Sequence, residues 1–184
     1  MRSGRLETPA TLLHLGQDLQ ACEIDWLWCG IQTKENAEPP PATGLRAPAK
    51  VTIRAWWDER IIRGRYLRAE DRLFLLDDVR DFTGKRQELA ITASELVGLP
   101  GQALVSGLAP KPCRVFLAFD VPFVNQEYAE APILRTYAEV ALIEAGRVEE
   151  GDQLEADGVR YTVLSLAKDR DDGVVRGLWL EAES

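Results

Sequence analysis

The run Gly151-Asp152-Gln153-Leu154-Glu155-Ala156-Asp157-Gly158-Val159-Arg160-Tyr161-Thr162-Val163-Leu164-Ser165-Leu166 reads as two strands around one tight turn. Asp157-Gly158 is a dipeptide that accepts positive φ at both central positions of a two-residue hairpin. Tyr161, Val163 and the leucines that follow have strand character. A second turn signal comes at Asp169-Arg170-Asp171-Asp172-Gly173, ahead of a last strand, Leu178-Trp179-Leu180-Glu181. This third of the chain therefore specifies a small β-barrel or sheet module, with no reactive group in a catalytic setting.

Upstream the signals are similar but less regular. Val51-Thr52-Ile53-Arg54-Ala55-Trp56-Trp57 has the β-branched and aromatic content of a strand, and Arg60-Ile61-Ile62-Arg63-Gly64-Arg65-Tyr66-Leu67 reads as a second one. Residues 73–79 and 87–93 flank the turn Phe82-Thr83-Gly84-Lys85 and form another hairpin. Residues 11–29 mix helical spacing with short apolar runs, so periodicity does not separate helix from strand there. The stretch 38–48, opening with Glu38-Pro39-Pro40-Pro41, cannot continue a helix or a central strand and reads as an exposed loop. The glycine- and proline-rich residues 99–112 read as a connector. The expected organisation is mainly β: two small barrel-like modules in tandem, 1–98 and 113–184, with few short helices and long loops. The halves also echo one another. Glu70-Asp71-Arg72-Leu73 matches Gly151-Asp152-Gln153-Leu154, but in that register the second half carries eight extra residues, about one Asp-Gly hairpin.

Composition narrows the function classes. A chain of 184 residues, 46% of them hydrophobic, can build a real core, and 30 acidic against 22 basic residues give a net charge of −8. That balance opposes non-specific binding to phosphate backbones. No apolar run is long enough for a membrane span, and the first residues lack the apolar stretch of a signal peptide. Cys22, Cys29 and Cys113 make neither a full disulfide set nor a zinc knuckle and read as buried small hydrophobes. His14, the sole histidine, excludes a multi-histidine metal site.

No motif carries chemistry. In Asp169-Arg170-Asp171-Asp172-Gly173 the glycine is at the wrong position for a calcium loop. Glu149, Glu150 and Asp152, and Asp77, Asp78 and Asp81, read as solvated carboxylates. Gly98-Leu99-Pro100-Gly101 is a turn rather than a phosphate loop. No catalytic residue, cofactor or metal is expected. Arg60, Arg63, Arg65 and Arg68, near Trp56, Trp57 and Tyr66, have two readings: ion pairing with acidic residues across strands or a subunit contact, or stacking on single-stranded nucleic acid in a nucleic-acid-binding β-barrel. Val121, Pro122, Phe123 and Tyr128 are candidate interface anchors.

The pattern Gly151-Asp152-x-Leu154-x-x-Asp157-Gly158-x-x-Tyr161-x-Val163, with its later Asp/Gly turn and final Leu-x-Leu-Glu, resembles the carboxy-terminal half of head-tail joining, or head-completion, proteins of tailed bacteriophages. The opening Met1-Arg2-Ser3-Gly4-Arg5-Leu6 and the strand pair around residues 69–95 are similar to head-tail adaptor proteins. The resemblance implies a non-enzymatic neck protein of the virion, assembled in the host bacterial cytoplasm. Its partners would be the portal or adaptor and the tail-end proteins, and it would form a homo-oligomeric ring between portal and tail. Specific nucleic-acid binding and membrane binding are not expected. An acidic lumen would let DNA slide through, and the subunit would be largely monomeric until a template such as the portal closes the ring.

Overall fold

The computed structural model describes residues 6–33, 42–123 and 133–183. It is mainly β: two six-strand barrels follow one another, with the main division between Val97 and Gly98. The first barrel comprises β1 (Thr8–Leu15), β2 (Ala21–Thr33), β3 (Arg46–Trp56), β4 (Tyr66–Ala69), β5 (Arg72–Arg80) and β6 (Glu88–Leu96). The second comprises β7 (Leu99–Leu104), β8 (Lys111–Phe123), β9 (Ile133–Ala141), β10 (Gln153–Ala156), β11 (Val159–Ala167) and β12 (Val175–Ala182), with a one-turn helix α1 (Leu142–Ala145) after β9.

In a closed antiparallel barrel one face of each strand fills the interior, so alternate residues must be apolar. Val51, Ile53 and Ala55 on β3 do this in the first barrel, with Leu12, Leu67, Phe74, Leu76 and Ile91 around them. Leu154, Tyr161, Val163, Leu178 and Leu180 do so in the second. Closure also gives every strand of the barrel wall a neighbour on both sides.

The two barrels share one topology. Around the first the order is β1-β2-β3-β6-β5-β4, and around the second β7-β8-β9-β12-β11-β10. From Gly64 onward the match is residue by residue at a constant offset of 87 positions. Gly64 N–H donates to Leu76 O and Gly151 N–H to Val163 O, each at 2.9 Å. Leu76 N–H returns to Arg65 O at 2.9 Å, and Val163 N–H to Asp152 O at 2.8 Å. Both glycines have positive φ, 84° and 89°. Each barrel carries a bulge at the same place, between Leu76 and Asp78 and between Val163 and Ser165. The duplication seen in the sequence is therefore present, but its register is six positions away from the match of Asp71 with Asp152. The turn Glu70-Asp71, with Glu70 at φ 53°, is the counterpart of Asp157-Gly158, so the first half has lost no hairpin.

Several expectations are corrected. Residues 11–29 form the β1–β2 hairpin, strand on both sides of the turn at 16–20. Of the expected 38–48 loop, residues 38–41 lie outside the described residues, while Arg46 to Pro48 belong to β3. Pro48 is tolerated because the β3–β6 ladder is irregular between Arg46 and Lys50, where no amide is required. Residues 58–65 are turns, and the strand begins only at Tyr66. Residues 99–112 are no mere connector: β7 occupies 99–104 and closes the second barrel between β8 and β10, so residues 99–101 of the turn read at 98–101 are strand as well. Its glycine serves close packing, since a Cβ on Gly101 would lie 2.6 Å from Glu155 O and 2.7 Å from Val115 Cγ2. The link before β12 is a longer loop containing a 3-10 turn, Lys168–Arg170, rather than a two-residue Asp172-Gly173 turn. Asp157-Gly158 matches its sequence signal, with φ of 53° and 73°.

Candidate functional site

Polar groups that looked chemically suggestive are tied into turns and ion pairs. Asp152, mostly buried, accepts from Ser106 N–H at 3.0 Å and Glu149 N–H at 2.8 Å, pinning a turn. Asp81 accepts from Arg86 N–H and Gly84 N–H, and these bonds hold its carboxyl below the usual carboxylate range. Asp77 binds Lys50 Nζ at 2.9 Å and the buried Ser94 hydroxyl at 2.7 Å. Asp78 pairs with Arg80. Among the described residues no cluster of histidine, cysteine and carboxylate groups is arranged to hold a metal ion. No helix among them is long and apolar enough to cross a membrane. Cys29 and Cys113 are buried, whereas Cys22 is only half-buried, a correction to the expectation for all three. Burial pushes the Cys29 thiol up to about 11 and the Cys113 thiol up to about 12. His14 is an exposed residue of β1.

The arginine cluster divides. Arg60 bridges Asp58 at 2.7 Å and Asp25 at 2.5 Å. Its bond lowers the Asp58 carboxyl, while Asp25 is lowered first by Trp26 N–H and then by Arg60. Arg68 meets Glu23 at 3.3 Å, and Arg65 donates to Arg60 O. Arg63 is exposed. Tyr66, read from sequence as a stacking residue, is only 2% exposed, on the register of β4 opposite to Leu67, whose side chain fills the core of the first barrel, and cannot stack on a ligand. Trp57 packs partly into that core beneath the Arg86 guanidinium. Only Trp56 of the aromatic set stands open, on a different patch.

That patch is the outer face of β1, β2 and β3. Cys29 and Ala55 are cross-strand partners and both are buried, so their neighbours Trp28 and Trp56 emerge on the opposite, outer face. Trp28 lies opposite Pro9 on β1, and Trp26, two residues along, lies opposite Thr11. The Trp26 and Trp28 rings meet edge to face at 5.1 Å, yet the side chains remain about half exposed or more: Trp26 54%, Trp28 44%, Trp56 64%. The flanking charges are already matched, Glu88 with Arg54 at 2.6 Å and Asp25 with Arg60.

A second open surface lies where β8 and β9 outrun their barrel. β8 pairs with β7 only as far as Val115, and β9 with β12 only from Thr136, so Val121 to Phe123 and Ile133 to Arg135 pair with each other alone. Asp120, at φ 54°, turns the arm at an irregularity in that ladder. Phe123 meets Trp179 edge to face at 5.1 Å, the Arg135 guanidinium lies over its ring at 4.3 Å, and Val121 is half-buried. Pro122 with its partner Leu134, and Phe119, are exposed, and Ile133 is exposed on the opposite face of the ribbon, the side of its partner Phe123. Tyr128 lies outside the described residues. Sequence reading thus named Trp56, Phe119, Val121, Pro122 and Phe123 but missed Trp26, Trp28, Ile133 and Leu134. The available signal was Trp26-x-Trp28 on the solvent-facing register of a strand. No protein-family model, curated protein or solved structure matches the chain.

Proposed function

We propose that the chain is a structural subunit of a tailed-phage neck, a head-completion or head-tail connector protein that acts by assembly and not by catalysis. The observation that carries this reading is the contrast between a scaffold whose polar groups are internally satisfied and two sizeable apolar surfaces left open, one on each barrel. Surfaces of that kind mark protein contacts. The hairpin pattern of the sequence, which resembles head-tail joining proteins, names the assembly. The partners are the portal or adaptor on one side and tail-end proteins on the other, with copies of the chain forming a ring around the DNA path. The net charge of −8 suits a wall past which DNA slides.

Removing the gene from the phage genome tests this directly. The expected result is DNA-filled heads without tails, with the protein present in purified wild-type virions at ring-like stoichiometry. Normal tailed particles, or virions lacking the protein, would refute it. Titrating linear DNA at low salt should give weak binding or none, because Tyr66 is buried and Arg60 and Arg68 face carboxylates.

A further inference from the structure

We infer that the two open surfaces are the two halves of one subunit contact: the β8–β9 arm of one copy seats on the tryptophan face of the first barrel of the next. The inference rests on the ring assembly proposed above and names the contact that builds it. Comparison of the barrels shows that this outer face is one the fold covers when it has the means. Pro9 and Trp28 of the first barrel occupy the positions of Pro100 and Arg114 in the second, since each pair sits at the same point of the matching ladder. Trp56 corresponds to Ala141, the last residue of β9. In the second barrel α1 lies against β8 and β9, its Glu144 carboxylate binding Arg114 at 2.9 Å through both Nε and Nη2, and Ala141 is fully buried. The first barrel has no helix there: Trp57, the counterpart of Leu142, leads into turns, so the face stays bare.

The occupant follows from area, charge and symmetry. Trp26, Trp28 and Trp56, together with Phe119 and Leu134, leave roughly 650 Å² of open side-chain surface. That is about two fifths of the roughly 1,600 Å² in a standard stable interface. A contact of this size is weak alone and suits a ring in which a template raises the effective concentration. Glu88 and Asp25 are already paired, so covering the face strands no charge. Face against face would leave the arm bare, and arm against arm would leave the tryptophans bare. Arm against face covers both in one head-to-tail contact, the geometry that closes into rings.

Mixing complementary variants tests it. Sedimentation of the wild type up to roughly 1 mM should show the average mass at least doubling, as expected for a weak contact. Trp28→Glu, which spoils the face, and Leu134→Glu, which spoils the arm, should each remain monomeric at that concentration. Their equimolar mixture should form pairs and stop there, because one good face and one good arm remain. Trp56→Ala is the milder second face variant, and circular dichroism confirms that each variant is folded. A wild type monomeric throughout, a folded single variant that still associates, or a mixture that fails to pair would each overturn the contact. None of these outcomes touches the neck assignment, which the gene deletion decides separately.

Discussion

The two barrels are one design carried out twice with different packing. Phe74 and Tyr161 occupy equivalent interior positions on β5 and β11, and Leu76 and Val163 equivalent positions beside the shared bulge. Near the start of each barrel the volumes trade places: Ala10 with Cys29 in the first, Gly101 with Val115 in the second. A larger residue on one strand is matched by a smaller one diagonal to it on the next, two positions out of register, so backbone spacing is kept while side chains change. Where the barrels differ in backbone, after β3 and after β9, the second gains α1 and a covered face, and the first keeps its tryptophans exposed. Topology is thus held constant by the ladder and the bulge, and function is left to insertions on the outside.

The largest effects should come from the shared interior anchors. Phe74→Ala and Tyr161→Ala should each destabilise their own barrel by about 4 kcal/mol, through lost burial and the cavity left behind. Denaturant unfolding followed by residue-resolved hydrogen exchange would show which barrel opens. A loss that spread equally through both barrels would break the picture of two separate cores. Gly101→Ala should cost about 2 kcal/mol, because its new Cβ meets Val115 and the Glu155 carbonyl. Adding Val115→Cys, which restores the pairing found at Ala10 and Cys29, should leave the double variant no less stable than the single one. Additive losses would mean that the exchange of volumes is not the compensation it looks like.

Smaller still, Gly64→Ala and Gly151→Ala should each cost about 1 kcal/mol, and by equal amounts, since both have φ near +85° and open space around them. Unequal costs would separate the two turns. The mildest effect is on the acid side. Asp25, Asp58 and Asp81 have folded pKa values below the ordinary 3.8, so the stability they give the first barrel is present above about pH 4 and is lost as pH falls further. Unfolding midpoints measured between pH 5 and pH 2.5 should fall, and Arg60→Gln should flatten that fall. A slope unchanged by the substitution would remove Arg60 from the account.

How much of this the sequence carried depended on the kind of signal. Asp157-Gly158 was legible because a two-residue hairpin demands positive φ at both positions, and few dipeptides supply it. Asp172-Gly173 misled because the same residues also end longer loops, and here a 3-10 turn precedes them. The repeat was visible, but its register was misplaced, because polar residues before a strand were matched in place of Gly64 and Gly151, whose conformation fixes it. Pro48, Pro100 and Gly101 read as loop, yet ladder irregularity and close packing place them in strands. The arginine cluster was conspicuous in one dimension, and its neutralisation by Asp25 and Glu23 depends on a strand pairing that spacing cannot show. Trp26-x-Trp28 was the converse: a plain period-two signal whose importance appears only once β3 brings Trp56 alongside.

The account turns on the first barrel's outer face being the surface that a second copy covers. Oxidative footprinting of the tryptophans, at low and at high protein concentration, tests this most directly. Trp26, Trp28 and Trp56 should lose reactivity as concentration rises, while Trp57, already packed against the core of the first barrel, keeps its own. Unchanged oxidation of Trp26, Trp28 and Trp56 at a concentration where the mass has risen would contradict it.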